Sequence, residues 1–162
     1  MNKNFLKFKI DLGDRESSGD YKAVNSLGFL GRFQFGKPRL WDLGYSIDGW
    51  KPSWWSYKRL SSYKVSIITK QQFLDDPILQ DRLFLDHISR LKKVIRRKYS
   101  KYYNHWNSVW LSESGLVAGA HLKGLGGVKQ FMNGEDNSDA YGTKISEYIE
   151  KFAGYDLDNM SS

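Results

Sequence analysis

The chain has 162 residues, which is enough for one domain with a hydrophobic core. Its formal charge of +7 favours anionic partners such as nucleic acid, a membrane surface or an acidic polymer. It contains no cysteine, and this excludes disulfides, thiol nucleophiles and thiolate metal sites. Its 6 Trp, 10 Tyr and 9 Phe can fill the core or line a groove that receives flat rings, and we expect most of them in the core.

Three elements are expected in the first part of the chain. Apolar residues favour a helix over 3–16, and Gly13 indicates an irregular end that places Glu16 at or just past the helix terminus. The glycine-rich stretch 17–36 is expected to form a loop. A short helix is predicted over 38–43, because the proline that begins it suits a first helical turn.

The middle of the chain contains the longest predicted helix. Tryptophans and serines are concentrated between 44 and 66, where we expect an ordered surface loop or a small lobe, with 64–68 as the best candidate strand. Thr69 and Gln72 have the spacing of a capping box, so a helix is expected to begin near Lys70. Apolar residues then recur at steps of three and four, which predicts a helix over about 77–103. Its apolar face consists of Phe84, Ile88, Leu91, Ile95, Tyr99 and Tyr102.

Helices are also predicted in the C-terminal third. Ser112 is the expected N-cap of a helix over 112–121. Glycines at 124–127 predict a tight turn before a short helix over 128–132, and a final helix is expected over 138–152. The fold class is therefore predicted to be predominantly α, with the small lobe either β or irregular.

Glu16 lies in surroundings that suit a general acid. An acid that acts on a glycosidic oxygen must stay protonated near neutral pH, so its pKa must be raised by burial against apolar groups such as Phe33 or Phe35. Ser17 can orient the carboxyl group, and the amide of Gln34 offers both a donor and an acceptor to a sugar. From the residues alone, a helix-terminal or solvated glutamate is the more common explanation.

Several motifs resemble one known family. Glu16-Ser17 followed by Gly31-Arg32-Phe33-Gln34 resembles the first two motifs of the lysozyme-like soluble lytic transglycosylases and goose-type lysozymes, a Glu-Ser pair and Gly-Leu-Met-Gln. Residues 120–128 stand where that family has Ala-Tyr-Asn-Ala-Gly, a small turn and Val, and Glu147-Tyr148-Ile149 resembles its last motif. The longer segments RESSGDYKAVN, GFLGRFQFG, SGLVAGAHLKGLGGVKQF and DAYGTKISEYI are similar to phage and prophage peptidoglycan-degrading domains.

The resemblance implies a single lysozyme-like domain over 1–162 with a substrate groove. Its expected activity is cleavage of the β-1,4 bond between N-acetylmuramic acid and N-acetylglucosamine in peptidoglycan, with Glu16 as the catalytic acid and without a cofactor or metal. The residues expected to bind substrate are Ser17, Phe33, Gln34, His121, Tyr141 and Tyr148. Arg32-Phe33 replaces Leu-Met in the second motif, and His121-Leu122 replaces a Tyr that would sit near the acid and an Asn that would contact sugar.

The fate of the cleaved sugar stays open at this point. Capture by water would make the protein a lysozyme, whereas capture by the muramyl 6-hydroxyl would make it a transglycosylase. The candidates for a second carboxylate are Asp14, Asp20, Asp42 and Asp48. None of them has a spacing that commits it to the groove, so the transglycosylase route is slightly favoured.

Two other classes of function compete with this one, a glycan-binding module without activity and a nucleic-acid-binding protein. The second rests on the basic residues of 90–101, which Tyr and Trp residues follow. Because Tyr99 and Tyr102 continue the apolar face, we expect a solvated basic face, and peptidoglycan rather than nucleic acid as the partner. His87, His105 and His121 have no acidic partner at ligand spacing, so no metal site is expected.

The expected location follows from the absence of two signals. No segment approaches about 18 consecutive apolar residues, so no stable membrane insertion is expected. The start of the sequence lacks a secretory signal. We therefore expect a monomer made in the cytoplasm of a bacterium or phage-infected cell and delivered by other machinery to the periplasm or cell wall.

Overall fold

The structure, a computed structural model, describes residues 2–55 and 64–160. Within these residues the helices are α1 Phe5–Ser17, α2 Lys37–Asp42, α3 Lys70–Leu74, α4 Pro77–Tyr99, α5 Glu113–Met132 and α6 Ile145–Lys151. The strands are β1 Tyr45–Ile47, β2 Ser66–Ile68, β3 Trp106–Asn107 and β4 Val109–Trp110. The fold is predominantly α with a small β part, as predicted.

The chain divides into two compact units. One contains Met1–Leu12 and His87–Ser162, and the other contains Gly13–Asp86, so the divisions fall inside α1 and α4. None of the helices in the described part of the chain is long and apolar enough to cross a membrane.

The unit Gly13–Asp86 contains the predicted small lobe. β1 and β2 pair in parallel, with Tyr45 opposite Ser66 and Ile47 opposite Ile68. The predicted 44–66 segment contains β1, and the candidate strand 64–68 is confirmed as β2. Residues 56–63 of the segment lie outside the described residues. The buried side chains of this unit include Leu30, Phe33, Phe35, Leu40, Trp41, Ile47, Phe73, Leu83 and Phe84.

The helix starts predicted from capping residues are confirmed. The Thr69 hydroxyl accepts a hydrogen bond from the Gln72 backbone N–H at 3.0 Å, and the Gln72 side chain accepts one from the Thr69 N–H at 2.8 Å. The Ser112 hydroxyl likewise accepts from the Gly115 N–H at 3.1 Å. These bonds satisfy donors that the first helical turn leaves without a partner.

The apolar face of α4 is confirmed over most of its length, since Phe84, Ile88, Leu91 and Ile95 are buried. The prediction was wrong at its end. The α-helix stops at Tyr99 and continues as a 3-10 turn, Ser100–Tyr102, which changes the direction of the side chains. Tyr102 is consequently 40% exposed instead of facing the core.

Two other predicted helix boundaries were wrong. The predicted break within 112–132 is confirmed at Gly124 of α5, at φ 72° and ψ 172°, but the helix continues to Gly124 and restarts directly after it, because one glycine suffices for the break. Helix α6 begins at Ile145 rather than 138. The Asp139 carboxylate accepts hydrogen bonds from the N–H groups of Tyr141 and Thr143, both at 2.9 Å, and this turn competes with a helix.

Close packing of α5 on α6 depends on glycine. A Cβ added at Gly115 would lie 2.4 Å from the backbone oxygen of Ile149, which cannot move without shifting α6. We expect Gly115→Ala to lower the free energy of unfolding by about 1–3 kcal/mol through overpacking. Urea denaturation measures this loss.

Gly126→Ala is the matched control for Gly115→Ala. It lies in the same helix, and an added Cβ there would meet no atom within 4 Å among the described residues. Alanine should raise stability by about 0.5–1 kcal/mol, because it restricts the unfolded chain and favours a helix. Equal effects of the two substitutions would contradict the proposed contact with α6.

Candidate functional site

Glu16 lies in the last turn of α1, half-buried, as predicted for a helix-terminal residue. The helix ends because Ser18 and Gly19 adopt positive φ angles of 56° and 77°. The Ser18 N–H donates to the Asp14 carbonyl at 2.9 Å, and the Gly19 N–H donates to the Gly13 carbonyl at 3.2 Å. The end of the helix is therefore closed by backbone hydrogen bonds directly after the carboxylate.

The second motif forms a tight turn. Leu30 and Phe35 exchange two backbone hydrogen bonds of 2.9 Å, and the turn between them uses positive φ angles at Gly31 and Gln34, 77° and 53°. The Gln34 side-chain amide donates to the Gly31 carbonyl at 2.9 Å. One N–H donor of the Gln34 side chain, which we expected to bind sugar, is therefore used within the turn.

Ser17 connects the two motifs. Its hydroxyl lies 2.8 Å from the backbone oxygen of Arg32 and 3.2 Å from that of Gly13, and it can donate to either. The Arg32 side chain packs against the helix at Gly13, where an added Cβ would lie 2.6 Å from Nε. The Glu-Ser pair and the Gly-Arg-Phe-Gln turn, separated in sequence, are thus in direct contact.

Gln80, which the sequence analysis did not single out, supports this turn from α4. Its side chain is fully buried. Its Oε1 accepts from the Arg32 N–H at 2.9 Å, and its Nε2 donates to the backbone oxygens of Tyr21 at 2.9 Å and Phe73 at 3.0 Å. An added Cβ at Gly31 would lie 2.2 Å from Oε1, so glycine is also required there by close approach.

A second set of polar contacts holds the loop before the turn. The Arg32 guanidinium donates through Nη1 to the Tyr21 hydroxyl at 3.0 Å, and this hydroxyl donates to the Asp81 carboxylate at 2.8 Å. Burial and the hydrogen bond to Asp81 raise the pKa of Tyr21, so the hydroxyl keeps its proton and continues to donate. Arg32 therefore anchors this loop to α4 through Tyr21 and Asp81.

Phe33 belongs to the core of its unit. Its side chain has no solvent exposure, and its ring stacks on that of Phe84 with 4.0 Å between centroids and 16° between planes. Phe35 is also buried and meets Phe33 edge-on at 6.3 Å. The geometry assigns Phe33 to packing behind the turn, and it leaves no exposed ring face for the sugar contact expected from the sequence.

The other predicted site residues lie in the unit that contains His87–Ser162, where the His121 side chain contacts that of His87. Its Nδ1 lies 2.9 Å from Nε2 of His87, with the rings nearly edge-to-face at 5.1 Å. His87 is buried on α4, whereas His121 is half-buried on α5, three residues before the break at Gly124. Sequence spacing between the histidines gave no sign of this contact.

Tyr148 and Tyr141 differ in exposure. Tyr148 is 2% exposed on α6 and meets the ring of Phe152 edge-on at 5.4 Å. Tyr141 is 57% exposed in the turn that Asp139 closes. Their roles as substrate contacts stay predictions, and the burial of Tyr148 gives it a packing role as well.

The described residues offer no metal centre: no group of three or more His, Asp or Glu side chains there could hold a metal ion. Comparison of the chain with protein families, with curated proteins and with solved structures found no match. The functional assignment therefore depends on the quoted motifs and on the geometry described above.

Proposed function

We propose that the chain cleaves the β-1,4 glycosidic bond of peptidoglycan between N-acetylmuramic acid and N-acetylglucosamine, with Glu16 as general acid. The observation that supports this most strongly is the contact of Ser17 with the Arg32 carbonyl at 2.8 Å. This bond joins the two motifs that carry the family resemblance and fixes the end of α1, with its half-buried carboxylate, beside the Gly31–Gln34 turn.

In the proposed reaction Glu16 donates its proton to the glycosidic oxygen as the bond to the muramyl anomeric carbon breaks. The resulting cationic sugar is captured by an oxygen nucleophile, and the Glu16 carboxylate takes the proton from that nucleophile. Ser17, whose hydroxyl lies closest to the Arg32 carbonyl and can donate to it, keeps the end of the helix beside the turn during both proton transfers. One carboxyl group thus serves as acid and then as base.

The contacts of the other carboxylates favour the muramyl 6-hydroxyl as the nucleophile. Asp20 accepts a hydrogen bond from the Lys22 N–H, Asp48 accepts one from the Lys70 N–H, and Asp42 lies 3.8 Å from the Arg39 guanidinium. These three carboxylates are exposed and have local structural roles, and Asp14 is exposed as well. Intramolecular capture requires no second carboxylate, because the hydroxyl is already tethered to the reacting sugar.

Mass spectrometry of digested sacculi tests this proposal. We expect muropeptides that end in 1,6-anhydro-muramic acid, each lighter by one water than the reducing-end product. Tethering of the nucleophile contributes about 7–11 kcal/mol in the best cases, so the anhydro form should dominate. Reducing ends alone would show hydrolysis, and an undigested wall would reject glycan cleavage altogether.

A further inference from the structure

A cavity of about 410 Å³ lies in the unit that contains His87–Ser162. The end of α4, the β3–β4 hairpin and the last turn of α5 form its wall. This volume is within the range of about 300–1,000 Å³ typical of small-molecule sites. The residues that matter for its chemistry are Tyr99, Tyr102, Trp106, Asn107, Lys129 and Asn133.

Exposed aromatic rings form one side of the cavity. Tyr102 is 40% exposed and Trp106 is 68% exposed, and Trp110 beside it is 46% exposed. The hairpin positions the backbone of both tryptophans, since Trp106 pairs with Trp110 and Asn107 with Val109 across the two strands. Large rings exposed to water suit stacking against a ligand, and the C–H groups of a pyranose are attracted to the electron-rich ring face.

Two amides and the ammonium group of Lys129 line the rest of the cavity together with His105, Leu111 and Met132. Asn107 and Asn133 each provide a carbonyl oxygen and an NH₂ group, which match sugar hydroxyls and an acetamido substituent. The ammonium group of Lys129, on the exposed side of α5, can pair with a carboxylate. The combination of stacking rings, amides and an ammonium group matches an acidic amino sugar.

The same rings are poorly arranged for a nucleic-acid base. Trp106 and Trp110 are inclined at 50° with centroids 6.4 Å apart, so they do not form a parallel slot for a flat base. The Lys101 ammonium lies 5.1 Å from the centre of the Tyr102 ring and covers one of its faces. A base could therefore stack on one ring face only, without a second ring on its other side.

We propose that this cavity is an additional carbohydrate site that binds one pyranose carrying an acetamido group and a carboxylate. Its identification with a muramyl unit that carries no stem peptide, and whose lactyl carboxylate is therefore free, rests on the proposed function, although the site shares no residue with the Glu16 motifs. It would increase retention of the protein on its polymer without taking part in bond cleavage.

Binding of a defined saccharide tests the site without interference from turnover. The full chain carrying Glu16→Gln is titrated with a muramyl-containing glycan tetrasaccharide and, separately, with the uncharged N-acetylglucosamine tetramer, while the indole N–H signals are followed by NMR. Trp106→Ala should weaken binding of the muramyl tetrasaccharide about tenfold or more, as expected for removal of a central aromatic contact. Lys129→Gln should weaken binding of the muramyl compound but not of the uncharged tetramer.

Trp54→Ala is the matched control, since this tryptophan is 63% exposed but belongs to the other unit. It should leave both affinities unchanged. Unchanged affinity for the muramyl tetrasaccharide in both Trp106→Ala and Lys129→Gln would overturn the proposal. So would Trp106-dependent binding of a short single-stranded DNA without saccharide binding. A third outcome is possible, in which saccharide binding depends on Trp106 but the protein without substitutions does not digest sacculi. That result would reject the proposed cleavage and support the carbohydrate site.

Discussion

Replacement of Glu16 by Gln is expected to slow the clearing of a suspension of peptidoglycan sacculi by about 10²–10⁴-fold, the scale for loss of a general acid. Glutamine has nearly the same shape and retains a carbonyl oxygen, but it cannot donate a proton to the glycosidic oxygen. The residue is half-buried in the last turn of α1, so the substitution should not disturb the core. The decrease in turbidity measures the rate, and thermal unfolding checks the fold.

Glu150→Gln is the control for the loss of one negative charge. Glu150 is exposed on α6, and its replacement should leave the clearing rate and the unfolding temperature unchanged. An equal loss of activity in both variants would point to net charge rather than proton transfer. Full activity of the Glu16→Gln variant would remove Glu16 from the mechanism.

Local signals predicted much of the fold. The capping box at Thr69 and the N-cap at Ser112 involve residues three apart, and such short-range hydrogen bonds are encoded directly in the sequence. The end of α1 near Glu16 was predicted from Gly13, but Gly13 lies inside the helix, and the positive φ angles of Ser18 and Gly19 end it. The apolar period likewise identified the buried face of α4 as far as Ile95.

Long-range side-chain contacts could not be predicted in this way. Gln80 binds backbone groups of Tyr21 and Arg32, and His87 contacts His121, although these partners are far apart in the sequence. One signal was present, since Gln80 and His87 continue the stripe of Phe84 and Ile88 on α4 and are buried with it. A polar residue on an apolar helix face needs a buried partner, but the pattern does not name that partner.

The helix boundaries that were wrong share a physical cause. A helix was predicted from 138, but the Asp139 side chain binds the N–H groups of Tyr141 and Thr143 that a helix would use. At Tyr102 the apolar character of the residue suggested burial, whereas the switch to a 3-10 turn decided its direction. In both places a local turn of the backbone, rather than the residue pattern, decided where the α-helix begins or ends.

The largest expected loss of stability follows from Gln80→Leu. Leucine is apolar and cannot replace the hydrogen bonds to the Arg32 N–H and to the carbonyls of Tyr21 and Phe73. The Phe73 carbonyl still accepts a hydrogen bond from the Asp76 N–H at 3.3 Å, whereas the Arg32 N–H and the Tyr21 carbonyl each lose the bond to Gln80. Each such loss in a buried position costs about 1–3 kcal/mol, so a total loss of about 2–4 kcal/mol is expected once the apolar gain of leucine is included. Urea denaturation followed by circular dichroism measures it.

Gln71→Leu provides the control on α3. Gln71 is exposed and makes one side-chain hydrogen bond, to Asp75 at 2.9 Å, so its replacement should change stability by less than about 0.5 kcal/mol.

Because Gln80 holds the Arg32 backbone, and Ser17 is bound to the same residue, Gln80→Leu should also reduce wall clearing at temperatures where the variant is still folded. If Gln80→Leu is destabilised but clears walls at the full rate while folded, the turn keeps its position without Gln80. The contacts of Gln80 would then contribute to the stability of this unit and not to the proposed catalysis.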